Sequence, residues 1–241
     1  MSRREKDPGG GHHAGHMAAS FTDLMTSLMV IFILLFVATV NNAAAGRQKI
    51  QSDLLKSLRD QLAAKGLDSA SIKRDERDPY AIVIVMPDSL LFERDSSRVR
   101  SGGQRYLSDV TPTLASILCA PEVSPHIDNV VVEGHTDTTY KGVSNTPEYG
   151  RAYNLRLSQA RSMAVVGTSL LALSESPQAE RDCFRAMLSA SGRGQEEPLP
   201  SIPGDDARQR RVIYKIRVNA DLAQQLTGEL PPNAGRTQQR P

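Results

Sequence analysis

Asp23 is the first residue of this chain that asks for a chemical explanation. It lies near the start of the run Phe21-Thr22-Asp23-Leu24-Met25-Thr26-Ser27-Leu28-Met29-Val30-Ile31-Phe32-Ile33-Leu34-Leu35-Phe36-Val37. From Ala18 to Val40 no other residue is charged. At about 1.5 Å rise per residue the stretch reaches roughly 34 Å as a helix, enough for a hydrocarbon core of about 30 Å. An acid inside such a span is costly, and its presence points to function by default. A carboxyl group that meets water on alternating sides can pick up and release a proton. Each proton crossing a potential of ~100 mV gives up about 2.3 kcal/mol from the field alone. Thr26 and Ser27 follow Asp23 by three and four residues, so all three share one helical face. Their hydroxyls are oxygen ligands of the kind Na⁺ also accepts. The competing reading puts Asp23 at the headgroups, where an acid simply favours a helix N-terminus.

A second constellation lies far downstream. Val130-Val131-Val132-Glu133-Gly134-His135-Thr136-Asp137 reads as a strand entering a polar turn, followed by Asn154, Leu157, Ser158 and Arg161. With Ser158 capping a helix, Arg161 falls in its first turn. An acid at a strand end and an arginine at a helix start suit a zwitterion: the carboxylate takes an ammonium and the guanidinium takes a carboxylate bidentately. Amides of the helix N-terminus would add anion affinity. The alternative is an internal Asp137–Arg161 salt bridge of little energetic consequence. His135 reads as a structural, hydrogen-bonding histidine rather than a metal ligand or base. There is no nucleophile–base–orienter set and no carboxylate pair for hydrolysis, so the chain is not read as an enzyme and needs no cofactor.

These residues need elements to hold them. The expected order is a disordered cytoplasmic tail (1–17), a transmembrane helix (18–42), a linker helix (43–78), a compact domain (79–220) and a disordered tail (221–241). His12, His13 and His16 in the first tail have no acid or cysteine to complete a metal site. A cleaved signal peptide competes for the apolar run, with Ala43-Ala44-Ala45 as cleavage site, but the run is too long and carries an acid. In the linker, Ile50, Leu54, Leu58 and Leu62 recur every fourth residue and Gly66 is a C-cap. That helix either pairs with a copy of itself or packs on its own domain. Residues 71–78 read as a charged connection.

Within the domain, strands are expected at Ala81–Met86, Val130–Val132, Met187–Ala190 and Val212–Val218. Helices are expected at Gly103–Leu118, weakened by Pro112, and from Ser158 to Leu173, with residues 138–151 as a loop. Strands alternating with helices give an α/β or α+β domain. The net charge of +2 gives no field for nucleic acid. Arg3, Arg4 and Lys6 before the span outweigh Arg47 and Lys49 after it, which favours a cytoplasmic N-terminus and an exported domain. In an oxidising compartment Cys119 and Cys183 can form a disulfide; otherwise they are buried thiols.

Two resemblances give these readings a family. Asp23-Leu24-Met25-Thr26-Ser27-Leu28-Met29 resembles the ion-carrying helix of MotB-family stator subunits. The resemblance implies that Asp23 is the proton or sodium site and that paired helices sit inside a ring of MotA-like membrane subunits. Gly134-His135-Thr136-Asp137, Asn154, Leu157-Ser158, Arg161, Gly192-Arg193-Gly194, Pro198 and Arg210-Arg211-Val212 resemble the OmpA-like peptidoglycan-binding domain. This implies an α+β domain with a mixed sheet and helices packed on it. It also implies that Asp137 and Arg161, helped by Asn154 and Arg210, bind the diaminopimelate of the wall stem peptide. Gln209 stands where that family usually has Asn. The short segment between span and domain resembles the MotB-like subunits of Zorya anti-phage systems, with ZorA-like partners, more than flagellar ones. The expected protein is a homodimeric, single-pass inner-membrane stator with a periplasmic wall-binding domain. A structural envelope anchor with an inert helix is the reading from another class.

Overall fold

The computed structural model describes residues 12–142 and 146–219, and nothing of the side chains of residues 12–20 and 42–47. The two expected disordered tails therefore lie largely outside the described residues. The chain divides into two compact units, Met1–Gly46 and Arg47–Pro241. Helix α1 (His12–Ala63) is continuous in sequence across that division, and it begins inside the tail expected to be disordered.

In the first unit, Phe21–Asn41 is long and apolar enough to cross a membrane, with a mean hydropathy of 2.3. Its large apolar side chains are exposed along the whole length, Leu24, Leu28, Phe32 and Leu35 each by more than half. A bare apolar helix of this length needs lipid or protein around it. Thr26 donates its hydroxyl proton to the Thr22 carbonyl at 2.7 Å, so part of its polarity is spent within the helix.

The second unit begins at Arg47, and the expected linker is part of it. Leu54, Leu58 and Leu62 are 3, 0 and 0% exposed and join the domain's core. The side chain of Gln51 donates to the Pro79 carbonyl, and that of Arg59 to the Ile72 carbonyl. Of the two readings of this helix, packing on its own domain is the one observed. The helix ends in a Schellman motif: Leu67 N–H bonds the Leu62 carbonyl and Gly66 N–H the Ala63 carbonyl. Gly66 supplies the left-handed residue at φ +82°.

Among the described residues five strands form one sheet: β1 (Ile72–Arg74), β2 (Ala81–Pro87), β3 (Ile127–His135), β4 (Leu188–Gly194) and β5 (Arg211–Val218). Their order is β1-β2-β5-β3-β4. Strands β3 and β4 run parallel; the other pairs named here are antiparallel. The mixed sheet is the expected class, with β1 added where residues 71–78 read as a charged connection. Charges at Lys73 and Arg74 masked it, because an edge strand can afford polar side chains.

Alternation sorts the sheet's faces. Ile82, Ile84, Met86, Val130, Val132, Val212, Tyr214 and Ile216 belong to the core. They share it with Leu107, Val110 and Leu114 of α3 (Ser101–Leu118), Val165 of α4 (Pro147–Ala172) and Phe184 of α5 (Gln178–Met187). Pro112 is accommodated within α3. Cys119, just past α3, is disulfide-bonded to Cys183 on α5.

One element boundary differs where it matters. Helix α4 starts at Pro147, capped by Thr146, whose hydroxyl oxygen accepts the Tyr149 N–H. Ser158 is therefore an interior residue and Arg161 lies mid-helix, not in a first turn. A Thr-Pro-Glu sequence is itself a helix start, with the proline at N1 and the acid beside the positive end. Ser158 was the more conspicuous cap only because the glycines and polar residues before it imitate a loop.

Candidate functional site

Strand β3 delivers Asp137 to a turn that the backbone ties down on both sides. Thr136 N–H bonds the Gly194 carbonyl and Thr138 N–H the Gly204 carbonyl, each at 2.8 Å. Helix α4 then lies close against β3 and β4. A Cβ on Gly134 would stand 2.3 Å from the Ser158 carbonyl oxygen, and one on Gly192 2.6 Å from the Gln159 nitrogen. The buried Ser158 hydroxyl fastens this contact, donating to the Leu155 carbonyl and accepting from Gly194 N–H. Its role is to bind helix to strand.

This close packing brings Asn154 and Arg161 to the turn. Asp137 is 3% exposed. Its Oδ1 accepts from both the N–H (3.0 Å) and the hydroxyl (2.6 Å) of Thr139, and its Oδ2 accepts from Arg210 Nη1. Asn154 donates to the Asp137 carbonyl at 3.0 Å and to the side chain of Gln195 at 2.9 Å. Its own Oδ1 is buried and accepts no hydrogen bond from the described residues. A ligand donor would satisfy it.

Arg161 does not pair with Asp137. Its Nη1 lies 2.9 Å from Asp88 Oδ1, its Nε donates to the Ser96 carbonyl at 2.8 Å, and its guanidinium sits 5.2 Å from the Phe92 ring centre. The arginine is 1% exposed. Asp88 opens the one-turn helix α2 (Asp88–Leu91) and also faces Arg210, whose Nε is 3.9 Å from its Oδ2. The site is thus a quartet of two acids and two arginines. Sequence reasoning found Asp137, Arg161 and Arg210 but missed Asp88. The only signal was an acid directly after Pro87, at the end of a strand. Burial pushes the Asp88 carboxyl up to about 6 against the pull of Arg161 and Arg210, with Asp137 and Asp95 adding to the rise. Burial likewise lowers Arg161, with Asp88 opposing. Beside the quartet opens a cleft of about 520 Å³, with Asp88, Phe92, Arg94, Arg100, Arg208 and Arg210 on its walls.

The wall of the cleft depends on Gln209. Its amide nitrogen donates to the carbonyls of Ile202 and Pro203, and its oxygen accepts from Leu199 N–H. Gln209 and the buried Arg211, which donates to the Gln209 and Glu197 carbonyls, hold the segment from Glu197 to Pro203. Burial brings the Arg211 guanidinium down to about 10, with Arg77 adding to it.

His135 points to the other face of the sheet. It groups with Glu133 and Glu197, whose ligand atoms lie within 4.8 Å of one another and of its own. Glu133 is paired with Arg193 at 2.7 Å and Glu197 with Arg77 at 3.0 Å, so both carboxylates already have a counter-ion. Burial would raise Glu133, but His135, 3.8 Å away, and the hydrogen-bonded Arg193 outweigh it and hold the group at about 2. Burial lowers His135 despite Glu133, which keeps the imidazole neutral at neutral pH.

In the first unit, Asp23, Thr26 and Ser27 lie on the exposed apolar helix. A family model described as membrane MotB of the proton-channel complex MotA/MotB matches residues 2–58. The chain is 26% identical over 213 residues to the Zorya protein ZorB of Escherichia coli strain Crooks, an alignment covering 84% of this chain and 88% of that protein. Among solved structures, a MotB-like protein from Desulfovibrio vulgaris is 21% identical with a TM-score of 0.50, over 74% of this chain and 98% of that one. The last likeness is one of fold. The segment 2–58 is similar to MotB, the folded domain shares its architecture with a MotB-like protein, and along most of its length the chain is similar to Zorya ZorB.

Proposed function

We propose that this chain is the ion-carrying, wall-anchored stator subunit of a Zorya-type motor in the bacterial inner membrane. One observation carries the reading: the sole acid of the bare apolar helix lies within the segment that matches MotB of a proton channel. Asp23 accepts and releases the transported ion, H⁺ or Na⁺, with Thr26 and Ser27 on its face. Lipid and a ring of MotA- or ZorA-like subunits cover the helix, which pairs with that of a second copy. The N-terminus is cytoplasmic and the domain periplasmic, where Asp137, Arg210, Asn154 and Arg161 hold the zwitterionic part of the peptidoglycan stem peptide. Fixing the domain to the wall lets ion flow turn the partner ring rather than the subunit.

The test is Asp23→Asn in cells carrying this gene with its native neighbours. Phage protection falls to that of the deletion while the membrane-bound protein level stays normal. Full protection by the variant sinks the ion-carrying role and leaves a structural anchor. Restored swimming of a stator-deficient strain, without phage protection, would assign the chain to a flagellar motor instead.

A further inference from the structure

Asp88 was absent from the sequence-derived site, yet it organises the charges there. The quartet contains two acids and two arginines, and the two arginines differ in freedom. Arg161 is held on three sides, by the Asp88 carboxylate, the Ser96 carbonyl and the Phe92 ring, and is 1% exposed. Arg210 has a quarter of its side chain in solvent and borders the cleft. Asp137 can therefore be paired by a fixed cation or by a displaceable one. A ligand ammonium can compete with the second far more readily than with the first, because a solvated guanidinium that swings away keeps its hydration.

We propose that Asp88 is a positioning residue of the wall-binding site: it neutralises the buried Arg161 and so leaves Asp137 paired only with the exchangeable Arg210. This rests on the reading of the site as the one that holds the stem peptide. The Asp137–Arg210 pair occupies the place of the ligand's two charges. On binding, the ligand ammonium replaces Arg210 at Asp137, and the freed guanidinium joins Arg161 in facing the ligand carboxylate. The number of ion pairs rises by one and no charge is left buried alone. The orphaned Asn154 Oδ1 accepts a further proton donor of the ligand. Without a negative charge at position 88, the acids left to Arg161 are Asp95, which Lys141 already holds at 2.7 Å, and Asp137; an ammonium bound for Asp137 then has to compete with a buried cation.

The groups facing Asp88 are Arg161 from α4, Arg210 from the segment before β5, and at longer range Asp137 and Asp95. The same reasoning makes binding sensitive to acid, since a proton on Asp88 has the effect of the Asn substitution.

The experiment uses the full-length chain in detergent, co-sedimented with purified diaminopimelate-type sacculi and titrated with a soluble muropeptide between pH ~7.5 and ~5. Asp88→Asn is expected to weaken muropeptide binding at least tenfold at pH ~7.5. Wild-type affinity falls towards the variant's as pH drops through about 6, and the Asp88→Asn profile stays flat there. A merely structural role would lower the amount of folded protein without flattening the profile. Wild-type-like affinity and an unchanged pH profile in Asp88→Asn would overturn the proposal. If that variant does not fold, the wild-type chain decides: constant affinity from pH ~7.5 to ~5 overturns it equally. Wild-type chain that binds sacculi no better than Asp137→Ala refutes the wall-binding reading itself, a separate failure from that of Asp88.

Discussion

Glu133 shows how a single buried acid can be counted as an asset or a cost depending on its neighbours. It is buried like Asp88, but Arg193 lies 2.7 Å away and His135 beside it. Its folded value of about 2 lies below the ordinary 4.5. A depressed carboxylate contributes stability that is complete above its unfolded pKa and is lost as pH falls through the folded one. The window runs from about 4.5 down to about 2. Glu133→Gln should cost about 1–2 kcal/mol at neutral pH. Below pH ~4.5 the gap to wild type should narrow, as read by denaturant midpoints across pH. A gap that stays constant down to pH ~2.5 would mean that Arg193 contributes nothing to Glu133. Asp88 is the opposite case, an acid raised by burial and kept for what it does to Arg161. At this scale the sequence was legible where a residue stood in a recognisable pattern, as Asp137, Arg161, Asn154 and Arg210 did. Asp88 was not, because its partners are remote in sequence and a lone acid after a proline looks like any turn.

At the scale of elements, the site depends on how closely α4 lies against β3 and β4. Gly134 and Gly192 remove the side chains that would keep them apart. Gly134→Ala places a methyl 2.3 Å from the backbone oxygen of Ser158. The helix must shift, at a cost of about 1–3 kcal/mol for overpacking. The expected result is a melting temperature lower by several degrees, with muropeptide affinity reduced because Asn154 and Arg161 ride on the displaced helix. An unchanged melting curve would mean that this contact is looser than described. Periodicity revealed α3, β2 and β5 nearly to their ends, since each has a clean apolar face. It failed at the start of α4, whose Gly150 and polar first turns read as loop, and at β1, which is short and charged at two of its three positions. Helix α5 was also missed, because in ten residues its buried face rests on Phe184. The leucine repeat after the span was read correctly as a helix; only tertiary contact could tell that it belongs to the domain.

For the whole molecule, the proposed function puts ion passage and wall anchorage in series. Torque without an anchor turns the subunit itself, and an anchor without ion flow has nothing to resist. Asp23→Asn and Asp137→Ala should therefore each abolish phage protection. The double variant should be no worse than either single one, measured as efficiency of plating. Additive partial losses would mean that the two modules serve independent functions. The apolar span was the most legible part, because its length and hydropathy alone mark it. Its proposed surroundings, lipid and other subunits, lie outside this chain.

The Cys119–Cys183 bond ties the end of α3 to α5 across 64 residues of chain. Closing a loop of that length stabilises a domain by about 4 kcal/mol in the chain-entropy model. Such bonds persist only in oxidising compartments. On the proposed periplasmic placement, newly made chain in the cytosol holds two thiols, its domain is correspondingly easier to keep unfolded for export, and oxidation locks it once across. On that placement the bond works as a postmark: a domain that carries it has been delivered.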